Sequence, residues 1–261
     1  MLIGVVIPVY NEVDMLPRLM ARLEATPAPR RCRRLIVLVD DASSDGSATK
    51  VREFGLRSDV LAIAHERNAG KGAAVRTGFL AALQRGVDAV IIQDADLEYD
   101  PADHDKVIAP IIDGRADVVI GSRFTTKRGI RDWNMQYLAN RAITAASNLA
   151  TGLDLTDIEC CFKAMSRDVL ERLEIHESRF GLEPELVARI APMGVRIMET
   201  PVSFAPRTRR EGKKIGWKDG VSALRCIVRY RRPDRRTWRP ARVSEVSRLE
   251  AAFERASNRT A

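Results

Sequence analysis

The 261-residue sequence is poor in the residues that build several common kinds of site. It has three histidines, spread along the chain, so a histidine-based metal centre or a Ser-His-Asp triad has little support and each histidine is expected to be structural. Its four cysteines include an adjacent pair but no C-x-x-C spacing, which favours reduced thiols over a zinc site or a disulfide framework.

Long hydrophobic runs are missing as well. The longest apolar stretches, at 2–9 and 35–39, fall far short of the roughly 18 residues that a membrane-spanning helix needs. The sequence starts directly on a strand pattern, with no basic leader and no small-residue cleavage site. We therefore expect a cytoplasmic globular protein, and its 45% hydrophobic content suffices for a full core in one large domain or two small ones.

Two glycine-rich nucleotide motifs are absent. No G-x-G-x-x-G follows the first strand pattern, so dinucleotide binding loses its main support. The sequence NAGKG at 68–72 lies at a helix start, but it lacks the P-loop spacing G-x-x-x-x-G-K-[ST]. A P-loop NTPase is therefore not expected.

Apolar strand patterns alternate with amphipathic helical patterns through the first half of the chain. The strand patterns lie at 3–9, 35–39, 60–64, 87–93 and 118–120. The helical spacing of Leu16, Leu19, Met20 and Leu23 predicts a helix after the first of them, and a second helix is predicted at 71–84. This alternation is typical of βαβ units and predicts an α/β fold with a mostly parallel sheet flanked by helices. In such a sheet the loops that follow the strands meet at one edge, where functional residues are expected. A second substructure is predicted after Gly121, with a helix at 135–151 and a late strand at 195–204.

The fourth strand pattern runs directly into Asp94-Ala95-Asp96. Mg²⁺ prefers oxygen ligands and is commonly held by one or two carboxylates together with substrate phosphates. A solvated turn is the alternative reading of an isolated Asp-x-Asp. Its position after a buried strand favours a site for a metal and a diphosphate.

Acidic residues also follow the first two strand patterns. Glu12 comes soon after the first, and Asp40 and Asp41 come directly after the second. A carboxylate at such a position can accept a hydrogen bond from a base N–H or a ribose hydroxyl. Helix capping or turn formation is the competing role, and for Asp45 it is the preferred one.

The net charge of +8 is concentrated after Arg207. Basic residues interleaved with aromatics at 207–242 could suit nucleic acid, a membrane surface or a phosphorylated substrate, although many basic tails are merely solvated. A basic amphipathic helix is predicted at 221–230, and 244–259 also has helical character.

Together these motifs resemble glycosyltransferase family 2, with the GT-A fold, and within it the dolichol-phosphate or polyprenyl-phosphate mannosyltransferase-like branch. The resemblance covers roughly residues 5–220. Its markers, in chain order, are VIPVYNE at 6–12, Asp40-Asp41, NAGKG at 68–72, Asp94-Ala95-Asp96, GSRF at 121–124, Thr156-Asp157 with CFK at 161–163, and FGLEPE at 180–185.

The resemblance implies roles for individual residues. In the family, the positions of Pro8, Tyr10, Glu12 and Asp41 hold the nucleotide base and ribose. Lys71, Ala95 and Glu98 are also expected at the donor, and Asp94 and Asp96 are expected to bind Mg²⁺ or Mn²⁺ on the diphosphate. The resemblance further implies that Arg123, Arg141 and Arg207 hold phosphates, with Lys213 near the donor diphosphate.

The sequence departs from the family pattern in three places. Thr144-Ala145 stands where the family often has Ser four residues after the helix Arg. Glu159-Cys160-Cys161 lacks the usual Gly before the aromatic residue, and Glu98 replaces a common Gln.

The implied activity is an inverting transfer of a hexose from a UDP-sugar or GDP-sugar to polyprenyl phosphate, for cell-envelope glycan or glycoconjugate assembly. Residues 1–220 would form the catalytic domain, with a nucleotide-binding half at 1–121 and an acceptor half at 122–220. Residues 221–261 would form a basic tail against the anionic inner face of the membrane, with no role for nucleic acid. UDP donors are favoured slightly over GDP donors. A soluble or glycan hydroxyl acceptor, or a nucleotide-sugar-binding module without turnover, are the alternatives.

Overall fold

The computed structural model describes residues 1–124, 135–179, 181–206 and 217–230. Their strands form one seven-stranded sheet in the order β3-β2-β1-β4-β6-β5-β7. The strands are β1 (Leu2–Val9), β2 (Arg33–Asp40), β3 (Val60–Ala64), β4 (Ala89–Ile92), β5 (Val118–Ser122), β6 (Lys163–Ser166) and β7 (Ile197–Pro201).

The sheet is mostly parallel, as the sequence predicts. Strands β3, β2, β1 and β4 pair in parallel, and so do β5 and β7. Strand β6 is antiparallel to both of its neighbours, β4 and β5. This strand was not predicted, because four residues with a lysine at one end give neither a long apolar run nor a clear alternation.

Helices cover the sheet and bury the stripes that the sequence predicts. They are α1 (Met15–Ala25), α2 (Ser47–Phe54), α3 (Lys71–Gln84), α4 (His104–Ile112), α5 (Met135–Thr151), α6 (Arg167–Arg172), α7 (Leu182–Ile190) and α8 (Trp217–Tyr230). Leu16, Leu19, Met20 and Leu23 of α1 are fully buried. Helix α3 lies so close to β1 that a side chain at Gly78 would overlap Val6. The predicted bounds of α3 and α5 are confirmed.

Helices α5, α7 and α8 pack together. Helix α8 buries Ala223, Cys226 and Ile227, while Leu224 and Val228 are exposed. Because α8 begins at Trp217, it runs across the predicted boundary between the catalytic domain and the basic tail at 220–221. The division into domains stays a prediction. None of the described helices combines the length and the apolar character that a membrane-spanning segment requires.

Candidate active site

Three loops at the carboxyl edge of the parallel strands contain a residue other than glycine in the left-handed region. They are Asn11 after β1 (φ 54°), Ala42 after β2 (φ 58°) and Leu97 after β4 (φ 58°). This conformation is uncommon for residues with a side chain and is found disproportionately at functional sites. The predicted convergence of the strand-end loops is thus accompanied by backbone strain in three of them.

The β1 and β2 loops are tied together by hydrogen bonds. The Asn11 backbone N–H donates to Ser43 Oγ at 3.0 Å, and Asn11 Oδ1 accepts from the Ser44 backbone N–H at 2.8 Å. The Glu12 N–H donates to Ser47 Oγ at 2.8 Å. These bonds fix the backbone on either side of Glu12.

The residues expected to hold the base and ribose lie along this pair of loops. Pro8 is half-buried at the end of β1, Glu12 is half-buried, and Tyr10 is exposed. Asp45 instead accepts from the backbone N–H groups of Ser47 and Val13, at 2.9 and 3.1 Å. The turn role preferred for Asp45 is confirmed.

Asp41 is buried, and its carboxylate is hydrogen-bonded to the backbone of the loop that follows β3. One carboxylate oxygen accepts from the Ala69 N–H at 2.9 Å, and the other accepts from the Gly70 N–H at 2.7 Å. His65 Nδ1 lies 2.7 Å from the first of these oxygens. Burial alone would raise the pKa of Asp41, but these hydrogen bonds outweigh it and lower the pKa. Its expected contact with the nucleotide stays a prediction, and its loop-fastening role was not foreseen.

The glycines on either side of Lys71 allow another part of the backbone to approach closely. A side chain at Gly70 would overlap the carbonyl oxygen of Ser178, and one at Gly72 would overlap that of Glu177. Gly70 also has φ +95°, which disfavours residues with a side chain. The glycine-rich motif thus serves close packing and brings Lys71 to the sheet edge.

Lys71 lies between two carboxylates. Its Nζ atom is 3.0 Å from Asp94 Oδ1 and 3.0 Å from Glu183 Oε1 at the start of α7. Cys161 Sγ is 3.6 Å away. Burial alone would lower the pKa of Lys71, but Asp94, Cys161 and Glu183 outweigh it and raise the pKa well above its usual value. The structure therefore joins two predicted donor residues, Lys71 and Asp94, with Glu183, to which the sequence assigned no role.

The backbone of the Asp94–Asp96 loop is held by hydrogen bonds from a buried side chain. Gln93 Nε2 donates to the carbonyl oxygens of Asp94 and Tyr99, at 3.0 and 3.3 Å. Asp96 Oδ1 accepts from the Glu98 backbone N–H at 3.1 Å. Ala95 is buried within the same loop. The carboxylates of Asp94 and Asp96 are thereby carried on a loop with a fixed backbone.

Arg123, directly after β5, forms a double ion pair with fully buried Asp157. Its Nε and Nη2 atoms each lie 2.7 Å from a different Asp157 oxygen, and its backbone N–H donates to Oδ2 at 3.1 Å. The guanidinium also stacks on the Phe124 and Phe204 rings. The orientation of Arg123 is therefore set by the protein.

Arg141 lies on the exposed face of α5, and its Nη1 donates to the Thr156 carbonyl oxygen at 3.2 Å. Thr156 directly precedes Asp157, so Arg141 and Arg123 are both bonded to one short segment. The structure thus brings together two of the three predicted phosphate-binding arginines.

The third predicted arginine, Arg207, and the predicted Lys213 lie outside the described residues, as does Phe180 of the FGLEPE marker. The chain that leads to Arg207 is bonded to the Asp94–Asp96 loop, because the Ala205 N–H donates to the Glu98 carbonyl oxygen at 2.8 Å. Phe204 also forms a β-bridge with Tyr99.

A family model described as "Glycosyl transferase family 2" matches residues 4–174. The chain belongs to glycosyltransferase family 2. It is 30% identical over 217 residues to undecaprenyl-phosphate mannosyltransferase of Micrococcus luteus, covering 81% of this chain and 86% of that protein. It is 29% identical over 219 residues to polyprenol monophosphomannose synthase of Mycolicibacterium smegmatis, covering 81% and 80%. The resemblance to this branch of the family, and the expectation of a glycosyltransferase enzyme, are confirmed.

Solved structures confirm the fold. Glucosyl-3-phosphoglycerate synthase from Mycobacterium tuberculosis, crystallised with Mn²⁺, UDP and phosphoglyceric acid, superposes with a TM-score of 0.64 at 18% identity. The match covers 89% of this chain and 80% of that one. The predicted GT-A architecture of this family 2 glycosyltransferase is therefore correct, while the predicted basic C-terminal helices beyond residue 230 lie outside the described residues.

The donor set of the site suits a cation that is shared with a substrate. Within the described ranges, no group of three or more His, Cys, Asp or Glu side chains could hold a metal ion by itself. Asp94 and Asp96 supply two carboxylates, which is the number that Mg²⁺ commonly takes when phosphates complete its shell. The residues present in this glycosyltransferase therefore fit Mg²⁺ or Mn²⁺ bound together with a diphosphate.

Four residues with a structural part in the site escaped the sequence analysis. Asp157 and Glu183 belong to family markers, but nothing in the markers says what they contact. Gln93 could have been noticed as a polar residue that ends an apolar strand pattern, and it is fully buried. His65 gave no signal, because its partner Asp41 is distant in the sequence.

Proposed function

We propose that this glycosyltransferase moves a hexose from a nucleotide-diphosphate sugar to polyprenyl phosphate, with inversion at the anomeric carbon, in the assembly of cell-envelope glycans or glycoconjugates. The observation that carries the proposal is the meeting of Lys71, Asp94 and Glu183 at the carboxyl edge of the sheet, with the Arg123–Asp157 pair directly after strand β5. The acceptor is supported by the names of the two bacterial relatives, which specify undecaprenyl phosphate and polyprenol monophosphate sugars.

The donor half of the proposal rests on the loops after β1, β2 and β4. Pro8, Tyr10 and Glu12 lie along the edge where the base and ribose would bind, with Asp41 beside them. The diphosphate would lie near Asp94 and Asp96, where Ala95 and Glu98 complete the loop. UDP is preferred over GDP on family resemblance, and it is the nucleotide in the solved structure of the M. tuberculosis enzyme.

The reaction is a single displacement at the anomeric carbon. An oxygen of the acceptor phosphate forms the new bond to this carbon, while the bond to the donor diphosphate breaks and the nucleoside diphosphate leaves with its electron pair. Mg²⁺ or Mn²⁺, when bound by Asp94 and Asp96, would neutralise charge on the leaving diphosphate. The Lys71 ammonium lies beside Asp94 and adds positive charge at the same place.

A phosphate acceptor removes the need for a strong general base. A phosphomonoester has its second pKa near 6 and is largely dianionic at pH 7, so little proton removal is needed. Arg141 and Arg207 would position the acceptor phosphate, since guanidinium groups suit bidentate phosphate contacts. Arg123 and Lys213 would help to neutralise charge on the leaving diphosphate. Arg123 already has a fixed orientation, because Asp157 binds two of its nitrogens.

The same acceptor calls for contact with a membrane. Helix α8 exposes Arg225, Arg229, Leu224 and Val228, and the sequence after it is rich in arginine. Each basic residue near an anionic surface contributes about 1 kcal/mol. We infer a peripheral, salt-reversible attachment to the inner face of the membrane. Sedimentation with anionic vesicles at low and high salt tests it, and a protein that ignores such vesicles would contradict it.

An acceptor series tests the proposed function. The protein is given its preferred labelled donor with polyprenyl phosphate, polyprenol or a soluble sugar, and the products are separated by organic extraction. Product from polyprenyl phosphate alone supports the proposal. Product from the soluble sugar alone would favour a hydroxyl acceptor, and donor binding without any turnover would favour a non-catalytic nucleotide-sugar-binding module.

A further inference from the structure

Helix α5 has an apolar stripe on the side that faces away from the buried Ile143. In this stripe Leu138 is 48% exposed and Leu149 is 90% exposed, the highest value for any large apolar side chain of the described residues. The exposed Ala142 and Ala145 lie between the two leucines. Steps of four, three and four residues place these four side chains in one line along the helix. Contiguous exposed apolar surface of this kind marks a surface that binds a partner.

The segment 244–259, which lies outside the described residues, has a matching apolar stripe in its sequence. Its helical pattern repeats in steps of three, four and three residues, at Val246, Leu249, Phe253 and Ala256. Two helices with such stripes pack as in a coiled coil, where large side chains lie beside small ones of the partner. Phe253 thus suits the small Ala142 and Ala145 of α5. The two stripes also match in length, because each extends over about 15 Å of helix.

The charge of the segment 244–259 differs from that of the chain before it. Residues 231–243 contain six arginines and one aspartate, whereas residues 244–259 contain three arginines and three glutamates. An anionic membrane therefore attracts 231–243 far more strongly than 244–259. Glu245 and Glu250 flank the apolar stripe of the segment, and the exposed Arg141 flanks the stripe of α5, so that opposite charges favour the pairing. The guanidinium has five N–H donors, which leaves donors for the phosphate that Arg141 is expected to bind.

The chain is long enough to bring the segment to α5. Helix α8 ends at Tyr230, whose ring lies under the guanidinium of Arg189 on α7. Helices α7 and α8 both pack against α5. The thirteen residues 231–243 can span up to roughly 40 Å, whereas the 17 residues of α5 extend over about 26 Å. The whole stripe of α5 is therefore within reach.

We propose that residues 244–259 form a helix that docks along the exposed stripe of α5. The pairing removes Leu138, Leu149 and Phe253 from water, which is the main favourable contribution to such packing. It leaves the arginine-rich residues 231–243 available to the membrane surface that is proposed for α8. The inference does not depend on the proposed activity, because it concerns only how the chain packs on itself.

Hydrogen exchange of the full chain, followed by mass spectrometry without lipid, tests the docking. A lone helix of this length is marginal in water, so slow exchange in 244–259 requires packing against another element. We expect exchange there to be about tenfold or more slower than in an unstructured peptide. Leu149→Glu on α5 should abolish this protection. Leu56→Glu, at a leucine that is 88% exposed and lies outside α5, is the matched control and should leave the protection unchanged.

A second pair of substitutions tests the other side of the contact. Phe253→Glu places a charge in the apolar stripe of the segment and should abolish the protection of 244–259. Ala251→Glu places the same charge outside the stripe and should preserve it. Exchange in the wild type at the rate of an unstructured peptide, or protection that survives Leu149→Glu, would overturn the inference.

Two further results would overturn the inference in favour of another partner. Protection of 244–259 that appears only with anionic vesicles would assign the segment to the membrane surface. Protection that rises with protein concentration, together with a dimer in size-exclusion chromatography, would assign the stripe of α5 to a second copy of the chain.

Discussion

The Nζ atom of Lys71 lies 3.0 Å from Oδ1 of Asp94, so the first aspartate of the Asp-x-Asp sequence is paired with an ammonium group from the loop after β3. Glu183, in the first turn of α7, forms a second ion pair with the same ammonium. The site therefore keeps one positive charge between two carboxylates, at the place where the diphosphate is expected.

Lys71→Met should impair both stability and transfer. Removing the ammonium leaves Asp94 and Glu183 close together and largely buried, and breaking such a pair costs about 3 kcal/mol. We expect transfer to fall about 100-fold or more, as measured by initial rates. Donor binding should also weaken, as measured by titration of UDP-sugar. Lys50→Met, at an exposed pair with Glu53, is the control and should leave both quantities unchanged.

Arg123→Lys should be damaging although it keeps the charge. A lysine cannot reproduce the two parallel bonds to Asp157, and that carboxylate is fully buried. We expect about 2 kcal/mol loss in the free energy of unfolding by urea, and a larger relative loss in transfer. Arg196→Lys removes an analogous but exposed pair of hydrogen bonds to Asp117. It should lower the free energy of unfolding by less than about 1 kcal/mol. Equal effects of the two substitutions would contradict the buried role of Arg123.

Gly72→Ala tests the close packing around Lys71. An alanine inside a helix normally adds stability, but here its Cβ would overlap the Glu177 carbonyl oxygen. We expect about 2 kcal/mol of destabilisation in urea unfolding. Gly220→Ala in α8 is the matched control, because the nearest atom to its Cβ would be Ile143 Cδ1 at 3.9 Å. The control should be neutral or slightly stabilising, and a stabilising Gly72→Ala would contradict the account.

The burial of His104 should make the free energy of unfolding fall at acid pH. Gln93 Nε2 donates to two carbonyl oxygens, so its Oε1 accepts from His104 Nε2 at 2.9 Å, and the Nδ1 of His104 has no partner. Burial, with Arg34 as the second cause, lowers the pKa of His104 to about 3.

Between pH 6.5 and pH 3 the unfolded chain binds a proton at His104 that the folded chain does not bind. The stability therefore falls as the pH drops through this window, by up to about 1.4 kcal/mol per pH unit from this residue. His104→Gln keeps a donor for Gln93 and should flatten the dependence of urea unfolding on pH. A wild-type slope in His104→Gln would show that another group is responsible.

Glu159 predicts the opposite trend. Its pKa of about 7 lies above the ordinary value of 4.5, so the folded chain holds an extra proton between these values and loses stability as the pH rises through them. Glu159→Gln should therefore raise the melting temperature at pH 8 and change it less at pH 5. Equal shifts at both pH values would mean that the Glu159 carboxyl does not titrate in this range.

Much of the fold follows from sequence patterns. The stripe Leu16, Leu19, Met20, Leu23 is buried as its spacing predicts, and helix α3 occupies the predicted range. Strand β6 escaped prediction because it is short and its place depends on antiparallel pairing with β4 and β5, which are distant in the sequence.

Without the family resemblance, the candidate site was predictable only where a motif follows a strand directly. Asp94 and Asp96 belong to this class, since the end of β4 fixes their position. The partners that set the charge of the site were not predictable, because Lys71 meets Glu183 across 112 positions of sequence and Arg123 meets Asp157 across 34. Such pairings depend on how α7 and β5 are placed, which no local pattern records.

The central claim is transfer of a sugar to a polyprenyl phosphate. The most direct test incubates the purified protein with labelled UDP-glucose, UDP-N-acetylhexosamines or GDP-mannose, polyprenyl phosphate and Mg²⁺ or Mn²⁺, and counts label in an organic extract. The account predicts label in the organic phase from one donor, abolished by EDTA and by Asp96→Ala. Binding of nucleotide and metal with no label in the organic phase from any donor would contradict it.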